Sequence, residues 1–215
     1  MAAVLKFDSS EAPFAVYCEL AAARIGALLG VPVAPGALCE LPDSLAFASL
    51  LIGQPGARFP HVEGGQAQAV VDRYPAECAG LLVFDVLIGN WDRYGNVKAG
   101  LRAHVPGFIL GFDHANSLLM AGEEPLQSVG LLAAEGSPIL HRHLFGAYLL
   151  ESTLEPWIAK AQALRADLVR CCVVGHSVNG AELWMQGAIA YALSHRLGHL
   201  RGLCRAVLQG SGGSR

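Results

Sequence analysis

The sequence predicts an α+β fold, with a small mixed lobe at the N-terminus and a larger, mainly helical lobe after it. Three observations lead to this prediction: strand-like runs concentrated before residue 53, a Gly- and Pro-rich stretch at 53–65, and helical periodicity over most of the remaining chain. With 215 residues, of which 53% are hydrophobic, the chain can bury a full core. We place the lobes at 1–58 and 59–209, and a flexible Gly- and Ser-rich tail at 210–215.

The first elements are a strand and an amphipathic helix. Residues 3–7, AVLKF, predict a short strand. Ser9 or Ser10 is the expected N-cap of the following helix, with Pro13 in its first turn, and Gly30 is expected to end it. The predicted buried face repeats at helical spacing and consists of Cys18, Ala22, Ile25 and Leu29.

The middle of the chain alternates between strands and helices. Two β-like runs, 31–41 and 44–53, flank the turn residues Pro42 and Asp43 and predict a hairpin. The stretch 53–65 is the expected linker. Residues 66–89 have a helical pattern interrupted by Pro75, and its second half has the broad apolar face of a central buried helix.

The rest of the chain predicts a small hairpin and then helices. Two short strands, VKAGLRA and GFILGF, are joined by the turn HVPG, and Asp113 follows the second strand. A helix is expected over 137–150, opened by Ser137 and Pro138, and another over 155–169. The last helix, 179–208, opens with Asn179 and Glu182 in capping-box spacing.

Composition excludes several classes of function. A net charge of -3 provides no general field for collecting nucleic acid or anionic membranes. The apolar runs are interrupted before they reach the ~18 residues of a membrane span. Six scattered cysteines without a secretion signal are typical of reduced core thiols. We therefore expect a cytoplasmic protein without membrane or direct nucleic-acid binding.

A cluster of polar residues behind the buried helix carries the chemistry. Phosphoryl transfer needs one carboxylate to orient the attacking hydroxyl, and an amide oxygen with a second carboxylate to hold magnesium. Asp92, Asn96 and Asp113 supply these groups, and Lys6 with Glu19 could form the ion pair that steadies a phosphate-binding lysine. The alternative for Asp92 and Asn96 is a helix end with an Asx-turn, and for Lys6 and Glu19 a solvated surface.

The sequence resembles the HipA-like kinase family, an atypical branch related to phosphoinositide kinases. The matching segments are VLKF, ELAAARIGALLGVPVAPG, FDVLIGNWDRYGN and GFDHANSLL, which occur in family order. The resemblance implies a bilobal protein-kinase-like fold with ATP between the lobes, and an adenine side lined by the strand of Leu38–Leu41 and its neighbour. It also implies roles for five residues: Lys6 contacts ATP phosphates, Glu19 braces it, Asp92 is catalytic, and Asn96 and Asp113 bind Mg²⁺.

The sequence departs from the family pattern in three places. Only five residues precede Lys6, so the N-lobe lacks the expected hairpin with a glycine-rich loop. A start further upstream, a partner chain that completes the N-lobe, and a different way of holding nucleotide stay open. The spacing between Asp92 and Asn96 is one residue shorter than usual, and Tyr94 stands where related sequences often carry histidine.

Three functions remain in consideration. The first is an ATP- and magnesium-dependent phosphotransferase that acts on a hydroxyl of a protein or small molecule. The second is a catalytically weak or inactive kinase-like binding module, or one subunit of a two-chain kinase. The third is transfer of AMP from the same nucleotide site.

The remaining histidines and arginines suggest a weaker alternative. His195 and His199 have the spacing of a zinc-binding helix, but the sequence shows neither a third ligand nor the glutamate of the HExxH motif. With Arg196, Arg201 and Arg205 they are expected to form a solvated basic face.

Overall fold

A computed structural model describes residues 2–51, 60–101, 107–120, 122–135 and 139–212. Most of the predicted linker and most of the HVPG turn lie outside these ranges, as do the cap residues Ser137 and Pro138. The described part of the chain is a mixed α+β structure, as predicted, with a three-stranded sheet, a two-stranded sheet and seven α-helices.

The N-terminal strands form one antiparallel sheet. Its strands are β1 (Ala3–Lys6), β2 (Gly36–Leu41) and β3 (Ser44–Leu50), in the order β1-β3-β2. The turn at Pro42 and Asp43 joins β2 and β3 with Leu41 opposite Ser44, which confirms the predicted hairpin. Lys6 lies opposite Phe47, so the end of β1 is placed beside the middle of β3.

Helix α1 (Ala15–Leu29) follows β1 and precedes β2 in the chain. The predicted stripe is fully buried, and Gly30 ends the helix in the left-handed region, with φ of 70°. The predicted start at Ser9 or Ser10 is wrong. Asp8 lies closer in space, and its Oδ1 accepts a hydrogen bond from Val16 N at 2.8 Å, which satisfies a free N–H of the first turn.

The second half of the fold is helical around a small hairpin. Helix α3 is buried along nearly its whole length and packs against α5 and α7. The predicted break at Pro75, which separates α2 from α3, is confirmed. The bounds are α2 (Ala67–Arg73), α3 (Pro75–Ile88), β4 (Val97–Ala99), β5 (Ile109–Gly111), α4 (Pro125–Ala133), α5 (Glu151–Ala163), α6 (Arg165–Cys171) and α7 (Leu183–Gly212).

The β4–β5 hairpin also pairs with the segment between α1 and β2. Gly111 N donates to Pro32 O at 2.8 Å, and Ala34 N donates to Gly111 O at 2.9 Å. This backbone pairing joins the two parts of the fold. It places the residues that follow β5 beside the end of β1.

The helix predicted over 137–150 is absent from the described residues 139–150, which contain only a short 3-10 turn at Gly146–Tyr148. The reason is a set of tertiary contacts made by His143. His143 N donates to Ser211 Oγ at 3.1 Å, and His143 Nε2 lies 3.0 Å from Asp85 Oδ2. These buried contacts hold the segment against α3 and α7, in a conformation that helical periodicity does not encode.

The predicted capping box at the start of α7 does not form. Asn179 has φ of 45°, and its amide donates to Asp8 Oδ2 at 2.7 Å and to Leu45 O at 2.9 Å. Its side chain therefore ties three distant segments together instead of capping a helix. Helix α7 begins four residues later, at Leu183.

The tail predicted from Gly210 is helical as far as Gly212. Gly210 serves close packing, because a Cβ there would lie 2.2 Å from His141 O. Ser211 Oγ is buried and donates to Val207 O at 2.8 Å. Small residues that suggested flexibility thus allow the end of α7 to pack tightly.

The predicted basic face on α7 is only partly correct. Arg196 is 1% exposed, and it donates to Val86 O at 2.7 Å and to Leu132 O at 3.1 Å. These carbonyls lie in the last turns of α3 and α4, where the helix dipole favours a cation. Arg201 and Arg205 are exposed and form ion pairs with glutamates of α5.

All six cysteines carry free thiols. Four of them are buried, and burial raises the pKa of the Cys18 thiol to about 12, which is expected of inert core residues. Among the described residues, no helix combines the length and hydrophobicity that crossing a membrane requires.

Candidate active site

Lys6, Glu19 and Asp113 meet directly. Lys6 lies at the end of β1, Glu19 in α1 and Asp113 two residues after β5. Lys6 Nζ donates to Glu19 Oε1 and to Asp113 Oδ1, the latter at 3.0 Å. Two carboxylates that lie 13 and 107 positions along the chain from Lys6 thus share its ammonium group. The sequence-predicted lysine and glutamate form an ion pair, which excludes the solvated-surface alternative for this pair.

Glu19 is a buried anchor and not a surface residue. It is 2% exposed, and Oε1 accepts a second hydrogen bond from His114 N at 2.8 Å. His114 Nδ1 lies 3.4 Å from Oε2. Burial alone would raise the pKa of Glu19, but the bonds from His114 and the charge of Lys6 outweigh it and lower the pKa to about 2.

We expect Glu19 to contribute pH-dependent stability. Because its pKa falls on folding from 4.5 to about 2, the stabilisation is present above about pH 4.5 and is lost as the pH falls towards 2. This difference corresponds to about 3 kcal/mol at neutral pH. Urea unfolding of Glu19→Gln should show that loss at pH 7 and a flatter acid slope than wild type.

The matched control is Glu11→Gln, because Glu11 is exposed on the same N-terminal segment. This control should keep the wild-type slope. Equal slopes in wild type and Glu19→Gln would contradict the assignment of a buried, ionised Glu19.

Asp113 has an unusual backbone conformation. Its φ of 59° lies in the left-handed region, which non-glycine residues rarely adopt, and such residues cluster at functional sites. Its side chain is 45% exposed, whereas the Glu19 side chain is 3% exposed. Of the two carboxylates that hold Lys6, Asp113 is therefore the one that a ligand can reach.

Asp92 and Asn96 lie on the loop after α3 and reach this cluster through intermediaries. Asn96 Nδ2 donates to Asp92 O at 2.8 Å, and Phe112 N donates to Asn96 O at 3.1 Å. Asn116 Nδ2 donates to Asp92 Oδ2 at 3.3 Å. The loop and the segment 112–116 around Asp113 are thus held side by side. Since Asn96 uses its amide nitrogen internally, its amide oxygen is the atom that suits a cation.

A buried network, missed by sequence reasoning, fixes this loop to the core. Arg93 donates to both oxygens of Asp85, at 2.7 and 2.6 Å, and to Phe112 O at 2.9 Å. Asn90 Nδ2 and His143 Nε2 complete the contacts of Asp85, at 2.9 and 3.0 Å. Burial alone would raise the pKa of Asp85, but the charge and hydrogen bonds of Arg93 together with those of His143 outweigh it and hold the pKa well below the usual range.

One signal in the sequence could have revealed this network. Asp85 interrupts an otherwise apolar helix, and a buried carboxylate requires a charged or hydrogen-bonding partner. Arg93 follows eight residues later. The contribution of His143 has no local signal, because it arrives from a segment 58 residues away.

A cavity of about 270 Å³ opens beside the cluster. Strand β3 and the residue after it contribute Ser49, Leu50 and Leu51 to its wall, so the neighbour of the predicted strand Leu38–Leu41 lines the cavity. Lys98, which sequence reasoning also missed, adds a second cation. The charged residues in the lining are Lys6, Lys98 and Asp113.

The mixed α+β fold is similar to that of a kinase of known structure. Among solved structures, the chain is similar to the crystal structure of the Helicobacter pylori proinflammatory kinase CtkA, with a TM-score of 0.64 and 14% sequence identity. The similarity covers 95% of this chain and 87% of that chain. No protein-family model and no curated protein sequence matches the chain. At this level of identity the comparison establishes the fold, and the site rests on its own geometry.

Proposed function

We propose that the protein is an ATP- and magnesium-dependent phosphotransferase of the HipA-like type that acts on a hydroxyl group. The observation that carries the proposal is the position of Lys6, which bonds Glu19 and Asp113 in the wall of a cavity of about 270 Å³. A lysine braced by a helix glutamate and facing a metal-binding aspartate is the arrangement that protein kinases require for transfer.

The donor chemistry at the site suits magnesium. Mg²⁺ prefers hard oxygen ligands and usually keeps several waters, so one or two side chains suffice. The Asp113 carboxylate and the Asn96 amide oxygen would be these ligands. When bound, the ion neutralises charge on the phosphates. Lys6 already forms an ion pair with Asp113, so the Asp113 carboxylate faces the cation that would contact the phosphates.

The two lysines of the cavity suit a polyphosphate. Lys6 is held by Glu19, which limits the side-chain entropy lost when it binds a phosphate. Lys98 Nζ lies 5.3 Å from the centre of the Phe112 ring, close to the same strand end. The cavity lining contains one carboxylate, that of Asp113, beside these two cations. The apolar residues Leu50 and Leu51 give part of the cavity wall the character of a base-binding surface.

Asp92 is the candidate for orienting the substrate hydroxyl. It is half-buried, and the bond from Asn116 fixes one carboxylate oxygen, which leaves the other to accept a proton-bearing group. Its backbone is fixed as well, since Asn96 Nδ2 donates to its carbonyl. A protein or small-molecule hydroxyl is the substrate class that this role requires, and reduced thiols agree with action in the cytoplasm.

The proposal is tested by thermal shift with Mg-ATP. Wild type should be stabilised, whereas Asp113→Asn should lose most of the shift, because an amide is a weaker ligand than a carboxylate for a hard divalent cation. The matched control is Asp72→Asn, an exposed aspartate of α2 whose partner Gln68 can bond an amide equally well. Absence of a shift in wild type, or equal shifts in all three proteins, would overturn the nucleotide site. If Mg-ATP binds, the intact mass of the product distinguishes phosphate from AMP transfer.

A second candidate, one subunit of a two-chain kinase, is favoured by the edge of the sheet. Strand β1 pairs with β3 on one side, and in the described residues its other edge has no strand beside it. Val4, Leu5 and Phe7 are 49%, 44% and 50% exposed there. Exposed apolar edge strands readily accept a further strand. A hairpin from a partner chain, or from an upstream extension, would cover this edge next to Lys6.

The two candidates differ in what the chain does alone. A complete phosphotransferase turns over ATP without any addition, whereas a subunit should gain activity when it is co-expressed with the segment encoded immediately upstream. Binding of Mg-ATP with turnover in neither preparation would identify a binding module.

A further inference from the structure

We propose that Glu135, His195 and His199 form a binding site for a divalent transition metal ion of the zinc class, separate from the candidate active site. The histidines lie one turn apart on α7, and Glu135 follows the C-terminal end of α4. One ligand atom from each residue lies within 4.8 Å of the other two. The glutamate is the third ligand that the sequence spacing of the histidines does not reveal.

Two of the three distances between ligand atoms already match those of a metal site. Bond lengths of about 2.0–2.2 Å in a tetrahedral zinc site place neighbouring ligand atoms about 3.3 Å apart. Glu135 Oε1 lies 3.4 Å from His195 Nε2 and 3.5 Å from His199 Nε2. Two of the three edges between ligand atoms therefore have the required length. Small rotations of the half-exposed imidazoles would close the third edge.

The tautomer of His195 is set for metal binding. Its Nδ1 lies 3.1 Å from Ala133 O, and because a carbonyl only accepts, Nδ1 must carry the proton. In the neutral ring the Nε2 lone pair then faces the Glu135 carboxylate. A histidine that donates its other ring N–H to a backbone carbonyl is the usual outer support of a metal ligand.

A metal ion would satisfy the three groups at once. A neutral imidazole lone pair directed at a carboxylate oxygen is repulsive, so either protons on the rings or a metal ion must lie between them. One divalent ion satisfies both imidazoles and the carboxylate together. Ala133 O, which lies 3.1 Å from His195 Nδ1, stands at the C-terminal end of α4, and the end of a helix favours a cation nearby.

The residue types select the metal. Two imidazoles with one carboxylate suit Zn²⁺, Co²⁺ or Ni²⁺, whereas Mg²⁺ prefers oxygen ligands alone. The side chains of Glu135, His195 and His199 are 64%, 37% and 39% exposed, so an ion can enter and water can occupy a remaining position. Occupancy would fasten the end of α4 to α7.

The test is titration of the chelator-treated protein with Zn²⁺ and Co²⁺ alone. Wild type should bind one equivalent, rise in melting temperature and give the strong visible absorption of tetrahedral Co²⁺. His199→Gln and Glu135→Ala should each weaken binding by at least about 100-fold, since each removes a direct ligand and loss of an outer partner already costs about 10–100-fold. The matched control His176→Gln removes an exposed histidine outside the site and should bind as wild type does.

Two further results decide the assignment. Asp113→Asn should keep wild-type zinc affinity, and His199→Gln should keep the wild-type shift with Mg-ATP, so failure of this site and failure of the proposed function are distinguishable. Absence of one-to-one binding in wild type would overturn the proposal and leave the two histidines as direct partners of Glu135 without a metal ion. Equal zinc affinity in wild type and both ligand variants would overturn it as well, because the ion would then lie elsewhere.

Discussion

Asp92→Asn is expected to lower phosphoryl turnover by at least about 100-fold while Mg-ATP binding is retained. A positioned carboxylate that accepts a proton or orients a hydroxyl contributes about 10²–10⁴-fold, and an amide of the same shape cannot act as a base. The fold should survive, because the Asp92 carboxylate makes its contact with Asn116 near the surface and away from the buried Asp85 network. Single-turnover kinetics and the Mg-ATP thermal shift, measured on the same preparation, check both halves of the result.

Two controls separate this role from a structural one. Asp72→Asn should turn over as wild type does. Asn116→Ala, which removes the group that holds the Asp92 carboxylate, should reduce turnover by less than Asp92→Asn and leave nucleotide affinity unchanged. Full activity in Asp92→Asn would show that another group orients the hydroxyl and would remove Asp92 from the site.

The elements that were predictable from the sequence are those specified by local chemistry. The hairpin of β2 and β3 follows from a Pro-Asp turn between apolar runs, and the buried stripe of α1 follows from its own periodicity. Ser9 and Asn179 were wrong as helix caps for two different reasons. Ser9 Oγ accepts from Ala12 N in a local turn that precedes the helix, which begins at Ala15, whereas Asn179 donates to Leu45 O and Asp8 Oδ2, which lie far along the chain.

The residues of the candidate sites also differ in whether the local sequence could reveal them. Lys6, Glu19 and Asp113 could be proposed because each stands in a segment whose order along the chain resembles a known family, and the fold then brings them into contact. Lys98 and Glu135 could not be proposed, since nothing nearby in the sequence distinguishes them from ordinary surface charges. Their significance arises only when strand pairing or helix packing places them beside a cavity or a pair of histidines.

The position of Asp92 depends on the buried pair of Arg93 and Asp85. Arg93 is the next residue, and it is bound at once to the core carboxylate Asp85 and to the backbone of Phe112, beside Asp113. The spacing between Asp92 and Asn96, one residue shorter than in the family that the sequence resembles, is thus accompanied by an attachment of the loop to α3 and to the residue that follows β5. We infer that this attachment, more than the loop sequence, sets where the Asp92 carboxylate lies.

Asp85→Leu is therefore expected to be the most destabilising single change, with a loss of about 3–5 kcal/mol in the free energy of unfolding. The pair of Asp85 and Arg93 is 0% and 1% exposed, so removal of the carboxylate leaves a buried guanidinium without a counter-charge. His143 loses its partner as well. Urea denaturation monitored by circular dichroism measures the loss.

A double variant distinguishes a missing charge partner from a packing defect. Asp85→Leu combined with Arg93→Met removes both charges and keeps apolar volume, so it should recover part of the stability lost in Asp85→Leu. If the double variant is less stable than Asp85→Leu by the full effect of Arg93→Met alone, the two residues are energetically independent and the network does not hold the loop. If stability is recovered but turnover is not, the ionic network serves to position Asp92, because the loop would then be folded without its anchor.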